Sequence, residues 1–271
     1  AEKALKKSVQ PAYQDALVAL KAQEKRANKN DGVWKFPNGA EFYRNRLKHH
    51  TTTEMTADQI HKLGLENVKR IHGEMKQVLK KMHYKGSLQS FFKELRTNKK
   101  FYYPNTDEGR KAYLDASKAH YARIQEKIPQ FFRLMPKAGF EIRAVEKFRE
   151  DSAGVAFYDG PSEDGRRPGV YYVNLKDMNN LPKHEAEAVL YHEGAPGHHF
   201  QIALAQEMKS LPKFRRFNHV SAYVEGWGLY TERLAKDMGA YQDNLSEFGR
   251  LSLELLRAGR LVVDTGMHSK K

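Results

Sequence analysis

The sequence predicts an α+β protein, predominantly helical, with a small antiparallel sheet set beside a pair of metal-binding helices. Three observations carry this prediction. The first half repeats apolar residues at three- and four-residue spacing behind recognisable helix starts. Between positions 140 and 175 the texture changes to short β-branched and aromatic runs separated by turns. The stretch Tyr191-His192-Glu193-Gly194-Ala195-Pro196-Gly197-His198-His199-Phe200 then places imidazoles and a carboxylate close together, as a metal-binding helix does.

Residues 2–30 read as a helix carrying Leu5, Val9, Ala12, Ala16 and Leu20, interrupted at Pro11 and closed by Asn28-Lys29-Asn30-Asp31-Gly32. Pro37-Asn38-Gly39 marks a turn, followed by a short helix through Phe42, Tyr43 and Leu47. Thr56-Ala57-Asp58-Gln59 forms a capping box, in which hydroxyl and amide satisfy the first free N–H groups of a long helix. The stripe behind it, Ile60, Gly64, Val68, Ile71, Met75, Val78 and Met82, faces a core; His61 and His72 beside it are given no role. Gly86-Ser87 opens another helix through Phe91, Phe92 and Leu95. Thr106-Asp107-Glu108 opens a longer one with acids in its first turn, where the helix dipole favours them.

The change of texture at Pro136 divides the chain into a helical region, 1–135, and a catalytic core, 136–271, packed as one domain. Strands are expected at 140–145, 155–158 and 169–175, the last able to pair with an extended substrate. A helix from near Pro182 enters the histidine motif and continues to Pro212. The next carries Tyr223-Val224-Glu225-Gly226-Trp227-Gly228-Leu229-Tyr230-Thr231-Glu232, and the last runs from about 246 to 264.

Composition narrows the chemistry. With no cysteine among 271 residues, disulfides, thiolate ligands and cysteine nucleophiles are excluded, so a metal must be held by nitrogen and oxygen. The formal charge of +14 is spread over nearly the whole chain, as on solvated helix faces, and no nucleic-acid partner is expected. No apolar run reaches the length of a membrane span, so no transmembrane segment is expected. The opening without Met inside a helical pattern reads as a piece of a longer protein.

The motif departs from H-E-x-x-H. Pro196 lacks the N–H that would bond the carbonyl of His192, and its ring would collide with that carbonyl. In an unbroken helix His198 would point roughly 120° away from His192, and His199 would share its face but lie about 10 Å further on. A bulge between Gly194 and Gly197 that absorbs two residues would return His198 to the place of an i+4 histidine. His192 and His198 are therefore the favoured ligands, with His199 as the alternative. Zinc wants a third protein ligand, for which Glu225 on the following helix is the candidate, with Gly226 and Gly228 permitting close approach of the backbones. Glu193 is then free to act as general base toward a water attacking a peptide or other amide. Tyr172, Asn174, Arg257, Arg260 and His268 are candidates for contact with substrate or transition state. The competing reading is a noncatalytic metal-containing binding protein.

At these residues the chain resembles the bacterial family named domain of unknown function 885, whose members carry H-E-x-x-P-G-H-H followed by a Glu-Gly-Trp segment. The likeness extends to Gly32-Val33-Trp34, the stretch from Phe42-Tyr43 to Thr51-Thr52-Thr53, Gly64-Leu65-Glu66, Tyr171-Tyr172-Val173-Asn174 and the run from Arg260 to Gly266. Gly259 is a minor departure, at a position where a side chain such as Cys is expected. The resemblance implies a zincin-like metallopeptidase fold, a zinc cofactor and peptide hydrolysis. It also implies a longer parent chain and a place in the bacterial periplasm or cell envelope, as a lipoprotein.

Overall fold

The structure is a computed structural model and describes residues 1–270. Its N-terminus is a helical arm: a turn of helix α1 (Glu2–Ala4), a π-helical segment (Leu5–Val9) and α2 (Gln10–Glu24). Pro11 follows the π-helical segment at the start of α2, where the wider turn accommodates a residue without an N–H. The arm ends at Glu24 rather than 30. Every residue from 1 to 31 is exposed, so no burial holds a final turn that propensity alone leaves marginal.

Helix α3 (Gly39–Thr51) follows the expected turn. Helix α4 (Ala57–Lys81) starts at the Thr56 capping box, with both reciprocal bonds formed: Gln59 N donates to Thr56 Oγ1 and Thr56 N donates to Gln59 Oε1. Ser87 caps α5 (Leu88–Thr97) and Thr106 caps α6 (Asp107–Lys127). In the second half, α7 (Ala186–Glu193), α8 (His198–Glu207), the short α9 (Lys213–Arg216), α10 (Ser221–Asp237) and α11 (Asn244–Ser269) follow the sheet. The sequence gives no sign of α9. Helix α11 also runs past the expected end at 264, because Thr265 bonds back to Leu261 O and His268 Nδ1 accepts from Val33 N.

Helices α4 and α11 lie antiparallel. Gly64 meets Leu261 and Val262, His61 bonds Thr265, and Arg250 reaches Glu74. With α5 they enclose one apolar core of Ile71, Met75, Leu79, Phe91, Leu95, Phe248 and Leu251. Burying each such side chain contributes roughly 1.5–3 kcal/mol. A helix from before the texture change thus packs along the last helix after it. A second core of Tyr113, Ile124, Ile128, Tyr171, Val173, Leu190, Tyr191, Phe200 and Ala235 joins α6, the sheet, α7, α8 and α10.

The sheet corrects the expectation of an antiparallel one. Its order is β1 (Phe140–Ala144), β3 (Gly169–Val173), β2 (Ala156–Asp159); β1 is parallel to β3 and β2 antiparallel to it. The turn-rich link at 160–168 folds β2 back on β3 as a hairpin. The chain leaving β1 crosses to the far side of β3 before starting β2, so β1 and β3 run the same way. Alternation within a strand records which face is buried, not which neighbour it takes. Both edges of β3 are therefore occupied, and it is not free to pair with a substrate; β2 is an edge strand packed against α7.

Candidate metal centre

The histidine motif is neither a continuous helix nor a bulged one. Helix α7 stops at Glu193, residues 194–197 form a sharp connection containing a cis Ala195–Pro196 peptide, and α8 restarts at His198. The connection is held by backbone bonds from Gly194 N to Leu190 O (2.7 Å) and from His199 N to Gly194 O (3.1 Å). Gly197 is required here, since a Cβ would lie 1.9 Å from the carbonyl oxygen of His192. The break brings the His192 and His198 rings edge to face at 4.5 Å between centroids.

Helix α10 clamps this break with residues of one face. Trp227 Nε1 donates to Pro196 O (2.8 Å), and Thr231 Oγ1 donates to Tyr191 O (3.1 Å). At Gly228 the backbone lies against the His192 ring, where a Cβ would come within 2.5 Å of Cε1. Gly226 has open space around it and is not the point of approach. Glu225 consequently faces both imidazoles, Oε2 lying 3.5 Å from His192 Nε2 and Oε1 3.8 Å from His198 Nε2.

His192, His198 and Glu225 each offer one ligand atom, all within 4.8 Å of one another. Ligands on a tetrahedral zinc with bonds of about 2.0–2.1 Å stand roughly 3.4 Å apart, so the three atoms stand near that spacing or somewhat wider. The nitrogen and oxygen donors, and the absence of sulfur, fit zinc. His192 Nδ1 donates to the buried Glu232 Oε1 at 2.8 Å, and Arg257 Nη2 donates to the same oxygen at 3.0 Å. Glu232 thus holds the Nδ1 proton, so that Nε2, which faces Glu225, is the nitrogen that would give up its proton to a metal ion.

The electrostatics follow from this geometry. Burial disfavours a charged His192, but the carboxylates of Glu225 and Glu232 outweigh it and push the imidazole up to about 9. Burial, and then the charge of His192, hold His198 down to about 4. His192 chiefly draws Glu225 down to about 2. Glu193, next to the ligand, is half-buried and lines a cavity of about 330 Å³ together with His192 and Arg257. Burial lifts its carboxyl to about 7, against the pull of His192.

Other expected site residues lie elsewhere. His199 is turned away from the ligand group: its Nδ1 pairs with Tyr158 OH at 2.9 Å and its ring packs on Phe140. Tyr172 projects from the opposite face of β3 to Tyr171, stacked on Phe157 and beneath Arg149. Asn174 is a turn residue whose amide donates to Glu150 O (2.7 Å) and Ala153 O (3.2 Å). Arg260 and His268 line a different cavity, of about 420 Å³, against α3. Tyr171, not Tyr172, is on the inner side, its hydroxyl pushed well above its ordinary range by burial, by Tyr113 and by the charge of Glu193.

Glu232 is the functional residue that sequence reasoning missed. Its signal was present: seven residues after Glu225, it lies two turns along on nearly the same helix face. Tyr171 offered none, because strand parity does not say which face meets the helices.

The profile of the family described as "Bacterial protein of unknown function (DUF885)" matches residues 1–271. A crystal structure from Colwellia psychrerythraea, of a protein described as a "putative lipoprotein", is similar with TM-score 0.93 at 36% identity, covering 99% of this chain and 46% of that one. A "putative lipoprotein of unknown function" from Shewanella oneidensis shares the fold at TM-score 0.67 and 16% identity, over 95% of this chain and 47% of that one. The chain thus spans about half the length of both. No curated protein matches the chain.

Proposed function

The chain belongs to the DUF885 family of bacterial proteins of unknown function, and from that premise we propose that it carries the site of a zinc-dependent hydrolase acting on peptide or other amide bonds. The observation that carries this reading is the convergence of His192, His198 and Glu225 beside a half-buried Glu193 that is not among the ligand atoms. His192, His198 and Glu225 would hold the ion. A zinc ion bound there supplies Lewis acidity, which lowers the pKa of water and polarises a carbonyl.

Each protein group then has a defined task. Glu193 takes the proton from the attacking water and passes it to the leaving nitrogen, a role suited to a carboxylate that burial has brought toward neutral pH. Glu232 keeps His192 in the required tautomer, and Arg257 neutralises Glu232. Strand β2 offers its outer backbone edge to an extended peptide, and Val155 and Ala156 reach the cavity lined by Glu193. The two helices on either side of a short connection, with a small sheet alongside, support a zincin-like placement. The lipoprotein descriptions of both solved relatives support a cell-envelope location.

The test combines metal analysis with cleavage of a mixed peptide library. Glu193→Gln is expected to retain about one zinc per chain and to lose cleavage by 10²-fold or more. His192→Ala is expected to lose both. Stoichiometric zinc in His192→Ala refutes the ligand set, and undiminished turnover in Glu193→Gln refutes the base. Zinc bound without any cleavage in the parent protein favours the noncatalytic alternative.

A further inference from the structure

The cavity beside Glu193 extends along α7 to an acid at its other end. Glu185, the residue capping α7, lines it, as do Val189 and Glu193. These residues are four apart, so they follow one face of the helix, and the outer two are separated by about 12 Å of helix axis. Leu181, Leu253, Leu256 and Ala156 supply apolar walls between the two carboxylates.

Glu185 has no cationic counter-ion among the described residues. Among the described residues its carboxylate accepts no side-chain hydrogen bond, and its nearest ion-pair neighbour is His184 Nε2 at 3.8 Å. That imidazole is no cation at neutral pH, since burial holds it down to about 4. The neighbouring Lys183 is engaged elsewhere, donating to Lys100 O and lying over the Tyr103 ring. The cations that line the cavity are engaged at the Glu193 end, Arg257 with Glu232 and His192 with Glu225 and Glu232. A half-buried carboxylate without a partner is unfavourable in the free protein and gains most from an incoming positive charge.

We infer that this cavity is a recognition pocket for a cationic group of the substrate, with Glu185 as its counter-ion and Val189, Leu253 and Leu256 as the walls that take an aliphatic stem. The cation is the end of a basic side chain or a free α-ammonium group; both present the same chemistry to Glu185. An apolar channel ending in an acid favours such an amphipathic chain over a purely apolar one, which would leave Glu185 desolvated and unpaired. The inference rests on the reading of Glu193 as the reacting end of the cavity, but the binding it predicts does not require turnover.

The experiment titrates the zinc-supplemented protein with three probes, followed by NMR shifts or calorimetry. N-acetyl-lysinamide carries only the side-chain ammonium, norleucinamide only the α-ammonium, and N-acetyl-norleucinamide neither. At least one cationic probe is expected to bind roughly tenfold tighter than the neutral one, and which one does identifies the source of the charge. Glu185→Gln should abolish the preference without changing zinc content. Leu256→Lys, at an exposed wall position, should weaken the cationic probe with Glu185 intact. Equal binding of all three probes, no binding of any, or a preference that survives Glu185→Gln overturns the pocket. Retained cation preference with no peptide cleavage leaves the pocket standing and removes the hydrolase reading instead.

Discussion

Helices α2 and α7 invert the usual relation between length and order. Helix α2 is 15 residues long and buries none of them, leaving Tyr13, Leu17, Val18 and Leu20 more than half exposed. Helix α7 has eight residues and buries six, including Glu187 and His192. An isolated helix of eight residues is unstable in water, so α7 owes its existence to α6, α10, α11 and β2 around it. The difference teaches that the candidate ligand helix is held by tertiary contact from every side, whereas the arm is held by its own backbone. Polar groups in α7 are consequently sensitive to what their neighbours do, and those in α2 are not.

The change that bears most heavily on the candidate metal centre is Glu232→Ala. It removes the acceptor of His192 Nδ1–H and leaves the Arg257 guanidinium facing His192 without a counter-charge. Removing one partner of a buried ion pair costs about 3–5 kcal/mol, and Arg257, half-buried, places the effect at the lower end of that range. Zinc affinity should fall about 10–100-fold, as is usual when the partner of a ligand histidine is lost. Chemical denaturation and competitive zinc titration measure the two effects. Unchanged zinc affinity would show that Glu232 does not orient the ligand.

A smaller effect sharpens the same point through pH. His184, buried beside α7 with no partner for Nδ1 among the described residues, is held down to about 4 by burial, below the ordinary value of 6.5. Its folded-state pKa is depressed, so the unfolded chain takes up a proton first as pH falls. The stability it permits is complete above about 6.5 and is lost as pH drops through 6.5 toward 4. Between pH 7 and pH 5 this single group should cost about 2 kcal/mol. Glu185 and Glu187, both lifted to about 7 by burial, act oppositely, since protonation below 7 relieves them. The informative quantity is therefore a difference. His184→Gln should gain on the parent by about 2 kcal/mol as pH falls from 7 to 5, and parallel melting curves for the two proteins would refute the assignment.

How much of this was legible in the sequence depended on whether the signal was local. The caps at Thr56, Ser87 and Thr106 and the stripe of α4 were read directly, because each is a relation between residues a few positions apart. His192, His198 and Glu225 were nominated from two contiguous motifs, and the structure brings these three together. The spacing of the motif predicts a bulge before His198, whereas the helix ends and restarts; either device turns the later ring back toward His192. What escaped was long-range. The direction of β1, the inner face of β3, and the distance of Arg260 and His268 from the ligand group are set by packing between elements far apart in the chain. Local periodicity fixes a face relative to its own element and carries no coordinate for the partner.

The smallest effect expected is in the arm. Substituting Leu17→Ser or Val18→Ser removes apolar surface that is already in water, 54% and 69% exposed, so no transfer or cavity cost applies. Only the slight change in helix propensity remains, below about 0.5 kcal/mol. The same substitution at Leu190 in α7, which is fully buried against the second core, should cost several kcal/mol by adding an unpaired hydroxyl to the lost packing. Measured by thermal unfolding of this chain, Leu17→Ser should be indistinguishable from the parent while Leu190→Ser unfolds well below it. A large loss of stability from Leu17→Ser would mean that the arm is covered in solution, and that its apolar residues belong to an interface rather than to a solvated helix.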